Sequence, residues 1–374
     1  MMRITVPGRT ELGGNHTDHQ GGRVLAAAVD LYLRAQAEAE NGGLVHLQSD
    51  GFGEIIVDTA ALSPADSLPG SPAALVRGVL EFLRDRGWRV GGLGARVRSD
   101  IPAGAGLSSS AAFGVLAGRL VSRLYNGDEI PPAELAEAAQ YAENRHFGKP
   151  CGRMDQCACA YGGVSFMDFR DPAAPKVETV GDRFFEPDYL LVMVNTGGSH
   201  ADLTADYAAI PRDMGAAAAF LGKTRLRDVA EGDFLSALPE LRRACGDRAA
   251  ARALHFFGED RRAARMADAL KVRDVGAYLR LMDASGRSSE ALLQNTWSPV
   301  APDAQAIPLA LGLCRRALGE NGAARVHGGG FAGSIQVLLP ADALPALQST
   351  LEPVFGEGCC RTLKVGTRDQ MNNE

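Results

Sequence analysis

Residues 102–112 carry the strongest chemical signal in the chain: Pro102-Ala103-Gly104-Ala105-Gly106-Leu107-Ser108-Ser109-Ser110-Ala111-Ala112. Glycines admit backbone shapes in which successive amides point at one anion, and no side chain blocks its approach. The serine run then opens an Ala-rich helical stretch, whose free N–H groups and dipole favour phosphate. A serine hydroxyl there can also coordinate Mg²⁺. No Gly-Lys-Ser/Thr follows, so this is not the common phosphate loop. A bare Gly-x-Gly is more often a turn that merely caps a helix; its place between a strand and a helix is what favours the anion.

Three further stretches hold groups that could act with it. Residues 7–22 crowd Arg9, Asn15, His16, Thr17, Asp18 and His19 into a Gly-rich loop after the first strand. Asn15, His16 and Asp18 offer the fixed donors and acceptors that a polyol needs, and Arg9 could neutralise phosphate charge. The competing reading is a solvated loop, and the two histidines do not require a metal. In Pro150-Cys151-Gly152-Arg153-Met154-Asp155-Gln156, Asp155 stands between a glycine turn and apolar residues, as a general base would. Glu143, late on the preceding helix, is a candidate second Mg²⁺ ligand; either acid alone is more often a surface carboxylate. Finally, His327-Gly328-Gly329-Gly330-Phe331-Ala332-Gly333-Ser334 says that a backbone approaches something closely.

The elements that must position these groups follow from periodicity. Leu33 to Glu40 is rich in helix formers, yet alternates strictly, so a half-buried strand is expected, with Leu44 to Gln48 as its hairpin partner across Asn41-Gly42-Gly43. Ser71-Pro72 caps a helix closed near Gly87. A strand over 93–99 leads into the Gly/Ser loop and a helix from Ser110 to Leu124; Pro131-Pro132 opens another, to about Phe147. Helical patterns fill 206–295, with breaks expected at Gly258-Glu259 and Ser285-Gly286. Helix, strand, glycine turn, strand, helix and strand close the chain, an α+β pattern.

With 374 residues, two domains are expected, 1–180 and 181–374, dividing somewhere between Pro172 and Asp188. The net charge of −6, without any block of like charge, argues against a nucleic-acid surface. No apolar leader segment or membrane-length run is present, and seven scattered cysteines lack metal-ligand spacing; a reduced, cytoplasmic protein is expected.

Taken in order, the four motifs resemble those of the galactokinase branch of the GHMP kinases. Gly8 to His19 resemble the family's Gly-Arg…Gly-Glu-His-Thr-Asp-Tyr signature. Pro102 to Ala111 match its Pro-x-Gly-x-Gly-Leu-Ser-Ser-Ser-Ala loop, Cys151 to Gln156 its Cys-Gly-x-Met-Asp-Gln, and Gly328 to Gly333 its late glycine turn. The resemblance implies a two-domain α+β fold with the active site in the cleft between an N-terminal mixed sheet and a C-terminal sandwich. It implies an ATP-dependent sugar 1-kinase, most simply for galactose, using Mg²⁺ and acting as monomer or homodimer. Gly104, Ala105, Gly106, Leu107, Ser108, Ser109 and Ser110 would wrap the ATP phosphates, with Ser110 and Glu143 on Mg²⁺. Asp155 would take the C1 hydroxyl proton and Arg9 would stabilise the transferring phosphoryl group. Asn15, His16, Thr17, Asp18, Gly152 and Tyr207 map onto the sugar contacts.

The chain also departs from the family. Asn15 stands where the family has Glu, Arg153 where an aliphatic residue is common, Ala332 for Gly and His327 for Thr. Asn15 and Arg153 together leave open a galacturonate 1-kinase, in which case Asn15→Glu would shift preference toward galactose. A third possibility is a non-catalytic sugar and ATP sensor, against which the intact Ser108–Ala112 run, Asp155 and Arg9 all speak.

Overall fold

A computed structural model describes residues 1–50, 53–102, 106–181, 184–197 and 203–365. Strand β1 (Met2–Gly13) lies antiparallel to the long β2 (Arg23–Ala39), whose second half buries Leu33, Ala35 and Ala37 and exposes the residues between them. Burial on one face thus overrides the helix propensity of its Ala and Glu residues. Next come β3 (Leu44–Ser49), β4 (Gly53–Asp58), α1 (Pro72–Asp85), β5 (Leu93–Ser99), α2 (Ser109–Tyr125) and α3 (Pro132–Ala142), which runs on as a π turn over Glu143–Phe147. Then follow α4 (Met154–Tyr161), β6 (Val164–Asp168) and β7 (Lys176–Gly181). At α1, the Ser71 hydroxyl accepts the Ala74 N–H at 3.2 Å, a cap worth about 1 kcal/mol.

These seven strands form one sheet in the order β4-β3-β5-β2-β6-β7, with β1 also on β2. The expected hairpin between the strands flanking Asn41-Gly42-Gly43 does not form. Instead β5 inserts between them, antiparallel to β2 and parallel to β3, and Gly92 takes up backbone bonds with both Glu40 and Gly42. The Asn-Gly-Gly turn permits a hairpin, but a partner fifty residues on offers β2 and β3 a fully paired interior position. Helices α1–α4 cover one face of the sheet, with Val79, Leu83, Val115, Leu116 and Ala139 in the core.

The chain then builds a second, antiparallel sheet from β8 (Tyr189–Asn195), β9 (Ala323–Val326), β10 (Ser334–Pro340) and β11 (Cys360–Leu363), ordered β11-β8-β10-β9. Between β8 and β9 lie α5 (Thr204–Phe220), α6 (Glu231–Cys245), α7 (Asp247–Lys271), α8 (Val275–Ser288) with a π turn at Ser289–Leu293, and α9 (Ala306–Leu318); α10 (Leu344–Phe355) precedes β11. The breaks expected at Gly258-Glu259 and Ser285-Gly286 are absent: α7 and α8 run straight through both. A mid-helix glycine costs about 1 kcal/mol, less than α7 recovers by burying Phe256, Phe257, Ala263 and Met266. At Gly286 the reason is closer packing, since a Cβ there would stand 2.7 Å from the Ala324 carbonyl.

The far face of the first sheet is covered by α7, with α8 packed behind it against α7 and β9. Leu12, Leu25 and Ala27 from the first sheet share a core with Met266, Tyr278, Met282 and Leu338. The residue 14–18 loop meets both α7 and the 327–334 turn, and Gly106 lies against His327 of that turn.

Candidate active site

Arg9 sits where β1 shifts register against β2, which turns its side chain off the sheet and toward the start of α4. There it grips Asp155 with both ends of its fork: Nε to Oδ1 and a terminal nitrogen to Oδ2, each at 2.8 Å. Its other terminal nitrogen donates to the Gly106 carbonyl at 2.5 Å, and its backbone N–H to the Leu107 carbonyl at 3.3 Å. The Ser108 hydroxyl donates to Asp155 Oδ2. The acid, the guanidinium and the glycine-serine loop are thus in direct contact. Burial would raise the Asp155 pKa, but Arg9 and the Ser108 bond together outweigh it and hold the carboxyl at about 2.

Gly106 (φ 73°) and Ser108 (φ 55°) are both left-handed, which turns the loop into the N-terminus of α2. Leu107 anchors it in the core, while Ser109 and Ser110 form the first turn, half-buried. Gly104 and Ala105 lie outside the described residues. A Cβ on Gly106 would come within 3.1 Å of His327 Nδ1. That imidazole is pushed down to about 3 by burial and by Arg9, so it supports the loop as a neutral ring bonded to Thr10 Oγ1 at 3.0 Å. Glu143, first residue of the π turn, is buried; Oε2 accepts the Cys151 thiol at 3.0 Å, whereas Oε1 has no partner among the described residues.

The residue 14–18 loop lies alongside. Asp18 packs against Gly152 so closely that a Cβ there would sit 1.8 Å from Oδ2. Burial, and then Asp155, push its carboxyl up to about 6. His16 is left-handed (φ 56°) and donates from Nε2 to the Gly329 carbonyl at 3.1 Å. Thr17 faces inward, its hydroxyl 2.9 Å from the Gly14 carbonyl and 2.7 Å from that of Arg23, so it shapes the loop. Tyr207, on the first turn of α5, donates to the Gly330 carbonyl at 2.9 Å and packs edge-on to Phe331. The glycine cluster thereby finds its reason: Cβ atoms at Gly329 and Gly330 would strike Tyr207 at 2.5 Å and the Asn295 carbonyl at 2.0 Å.

Asn15 is buried, and its amide is taken up by the protein. Nδ2 lies 3.2 Å from both Glu11 oxygens and 2.8 Å from the Gly328 carbonyl, while Oδ1 accepts from Asn295 at 2.9 Å. Glu11 in turn pairs with the fully buried Arg325 at 2.5 Å. Arg153 points away to α3, bonding Gln140 at 2.7 Å beside Glu137. Its polar partners are thus Gln140 and Glu137 of α3. Residue type and spacing do not mark Glu11, Arg325, Asn295, His255 or Glu259 as functional. His255 and Glu259 carried a signal, an i, i+4 pair on one helix face, which the expected break at Gly258 concealed.

Residues 2–38 match the model for the galactokinase galactose-binding signature, and residues 74–163 that for the GHMP kinases N terminal domain. A galactokinase of Streptomyces coelicolor is 33% identical over 370 residues, covering 96% of this chain and 90% of its own. The chain belongs to the galactokinase family. A galactokinase of Pyrococcus furiosus is 35% identical over 283 residues, 74% of each chain. Lactococcus lactis galactokinase, solved with galactose, superposes with a TM-score of 0.84 at 22% identity, covering 97% of this chain and 93% of that one. The family's fold, a mixed α+β GHMP kinase, is the one described above, and membership makes the chain an ATP-dependent sugar kinase. Among the described residues no helix is long and apolar enough to cross a membrane.

Proposed function

We propose that this chain transfers the γ-phosphoryl group of MgATP to the C1 hydroxyl of galactose. The observation that carries the reading is the meeting at Asp155 of the Arg9 fork and the Ser108 hydroxyl, beside the Gly106 turn. The reading takes residues 1–180 and 181–374 as two domains, with both substrates in the cleft between them.

In the reaction the C1 oxygen bonds to the γ-phosphorus, the bond from phosphorus to the bridging β-oxygen breaks, and ADP leaves. The hydroxyl proton goes to Asp155. A carboxyl held at about 2 is always ionised but is a weak base. Its proton transfer therefore belongs late, after charge has left the sugar oxygen, which suits a loose phosphoryl transition state. Arg9 lies between Asp155 and the anion loop, where it can meet charge growing on the phosphoryl oxygens. Gly106 to Ser110, with Gly104 and Ala105, would hold the phosphates; His16, Asp18, Gly152 and Tyr207 line the side given to the sugar.

Mg²⁺ would be held by Ser110 and Glu143, and supplies charge neutralisation on the β- and γ-phosphates when bound. The fit rests on the hard, buried and unpartnered Oε1 of Glu143. Among the described residues there is no group of three or more His, Cys, Asp or Glu side chains that could hold a metal ion by itself.

The test is ADP release from MgATP with galactose, galacturonate, N-acetylgalactosamine, glucose and arabinose, with the product's phosphate located by phosphorus NMR. Galactose should give the highest kcat/KM and an anomeric phosphate. A rate with galactose no greater than without sugar would refute the proposal.

A further inference from the structure

We infer that His255 and Glu259, one turn apart on α7, are positioning residues that hold the main chain of Gly14 to His16 in the shape that presents the sugar loop. The inference rests on the reading above for what that loop binds. Glu259 Oε1 accepts the Gly14 N–H at 3.1 Å, the Asn15 N–H at 3.3 Å and the Ser285 hydroxyl at 2.6 Å. Its other oxygen accepts Arg262 Nε at 2.7 Å. From the same helix face, His255 Nε2 donates to the Asn15 carbonyl at 3.0 Å. Three adjacent backbone groups of the loop are thus tied to two side chains 240 to 245 residues away.

Both side chains are fully buried, so each polar atom must be used or be costly. Four donors surround the Glu259 carboxylate. Burial would raise its pKa, but the Arg262 charge foremost, with Arg325 and the Ser285 hydrogen bond, holds it down at about 2, so the anion is permanent. Burial pushes His255 down to about 4 and keeps it neutral. Because Nε2 faces a carbonyl it must carry the proton, which leaves Nδ1 to accept from Ser288 Oγ at 2.9 Å.

The loop needs such a hold. Gly14 is at φ 91° and His16 at φ 56°, a conformation that costs a residue with a side chain about 1–2 kcal/mol. Two amides converging on one anion is the arrangement that left-handed backbone favours. Residue 16 follows directly on the clamped carbonyl, and two residues later the chain places Asp18 against Gly152. Neither clamp residue bonds to Arg9, Asp155 or the Gly106–Ser110 loop, so the device bears on sugar and not on nucleotide.

Two substitutions at one position separate this role from general packing. A Gln amide can place its nitrogen where Nε2 stands, whereas Asn reaches only the place of Nδ1. His255→Asn should raise the galactose KM about tenfold, the loss of one buried hydrogen bond, with the ATP KM within about twofold. His255→Gln should recover most of that loss. Glu259→Gln should raise the galactose KM alone. In the His255→Asn and Glu259→Gln proteins alike, the Gly14 and Asn15 amides should exchange at least about tenfold faster. Equal galactose KM values for His255→Asn and His255→Gln, or galactose and ATP KM values rising together, would overturn the inference. A wild-type protein inactive on every sugar would refute the functional reading instead; the exchange rates then decide the clamp, and unchanged rates would overturn it.

Discussion

Gly152 offers a steric test of the sugar side of the site. A Cβ at this position would stand 1.8 Å from Asp18 Oδ2 and 2.7 Å from Cγ. Carbon–oxygen contact begins at about 3.4 Å, so in Gly152→Ala the carboxylate must retreat by about 1.6 Å. The intruding contact is the far end of a short side chain, which can rotate, so the fold should be little disturbed. The site should not tolerate it: misplacing a positioning group by 1 Å costs about 100-fold. We expect kcat/KM for galactose to fall about 100-fold, equal to about 2.7 kcal/mol of transition-state binding. The ATP KM should stay within about twofold, because Asp18 makes no hydrogen bond to residues Gly106–Ser110. Steady-state ADP release, with a melting curve for each protein, measures both. In an Asp18→Ala background the Gly152→Ala change should add almost nothing, since the group it displaces is gone. A folded Gly152→Ala protein within threefold of wild type, or full additivity in the double variant, would refute the reasoning.

Asp155→Asn removes the proton acceptor and leaves Arg9 buried without its anion. kcat should fall about 10³-fold, and stability by about 3 kcal/mol, the low end for breaking a buried pair because Asp155 keeps 26% of its side-chain surface exposed; an undiminished kcat would exclude the assigned role. Glu143→Gln should raise the Mg²⁺ concentration for half-maximal rate about tenfold, the cost of one lost hard ligand, and an unchanged metal titration would count against it. Asp18, pushed up to about 6, should give kcat/KM an acid limb near that pH which Asp18→Asn lacks. The sign for stability is opposite in the two classes of carboxyl. Asp18 binds its proton more tightly when folded, so its contribution falls as pH rises from about 4 to about 6. Asp155 and Glu259, both held at about 2, contribute stability above pH 4 to 4.5 that is lost as pH falls toward 2; urea midpoints against pH test both. Asn15→Glu would set a second carboxylate about 3 Å from Glu11, a repulsion of about 5 kcal/mol at an effective dielectric of 20, offset only in part by Arg325. It should lower Tm and activity on galactose and galacturonate alike; a stable variant with switched preference would show that the Asn15 amide faces the substrate.

Much of this molecule is legible in one dimension wherever a local rule acts alone. Strict alternation marks β2 despite its helix-forming residues, and Ser71 and Pro72 mark the start of α1. The expected hairpin failed because β-pairing is a competition, and the winning partner, β5, lies fifty residues downstream. The expected breaks in α7 and α8 failed for the opposite reason: a small local penalty at Gly258 is outweighed by a large buried face that no window of sequence displays.

The same division runs through the site. Residue types and spacing mark a glycine-serine loop, an acid behind a glycine turn and a polar loop after the first strand as candidates, because each chemistry demands particular atoms on a particular local backbone. Which groups are spent on the protein itself is decided only in three dimensions. Asn15 reads as a substrate contact, yet packing of Glu11, Gly328 and Asn295 around it consumes its amide. Arg153 reads as a cation for the substrate, yet α3 holds it elsewhere. His255 and Glu259 read as ordinary helix, yet they bond the main chain of Gly14 and Asn15. Hydrogen-bond partners are fixed by distances between remote segments, and those distances exist only once the chain has closed on itself.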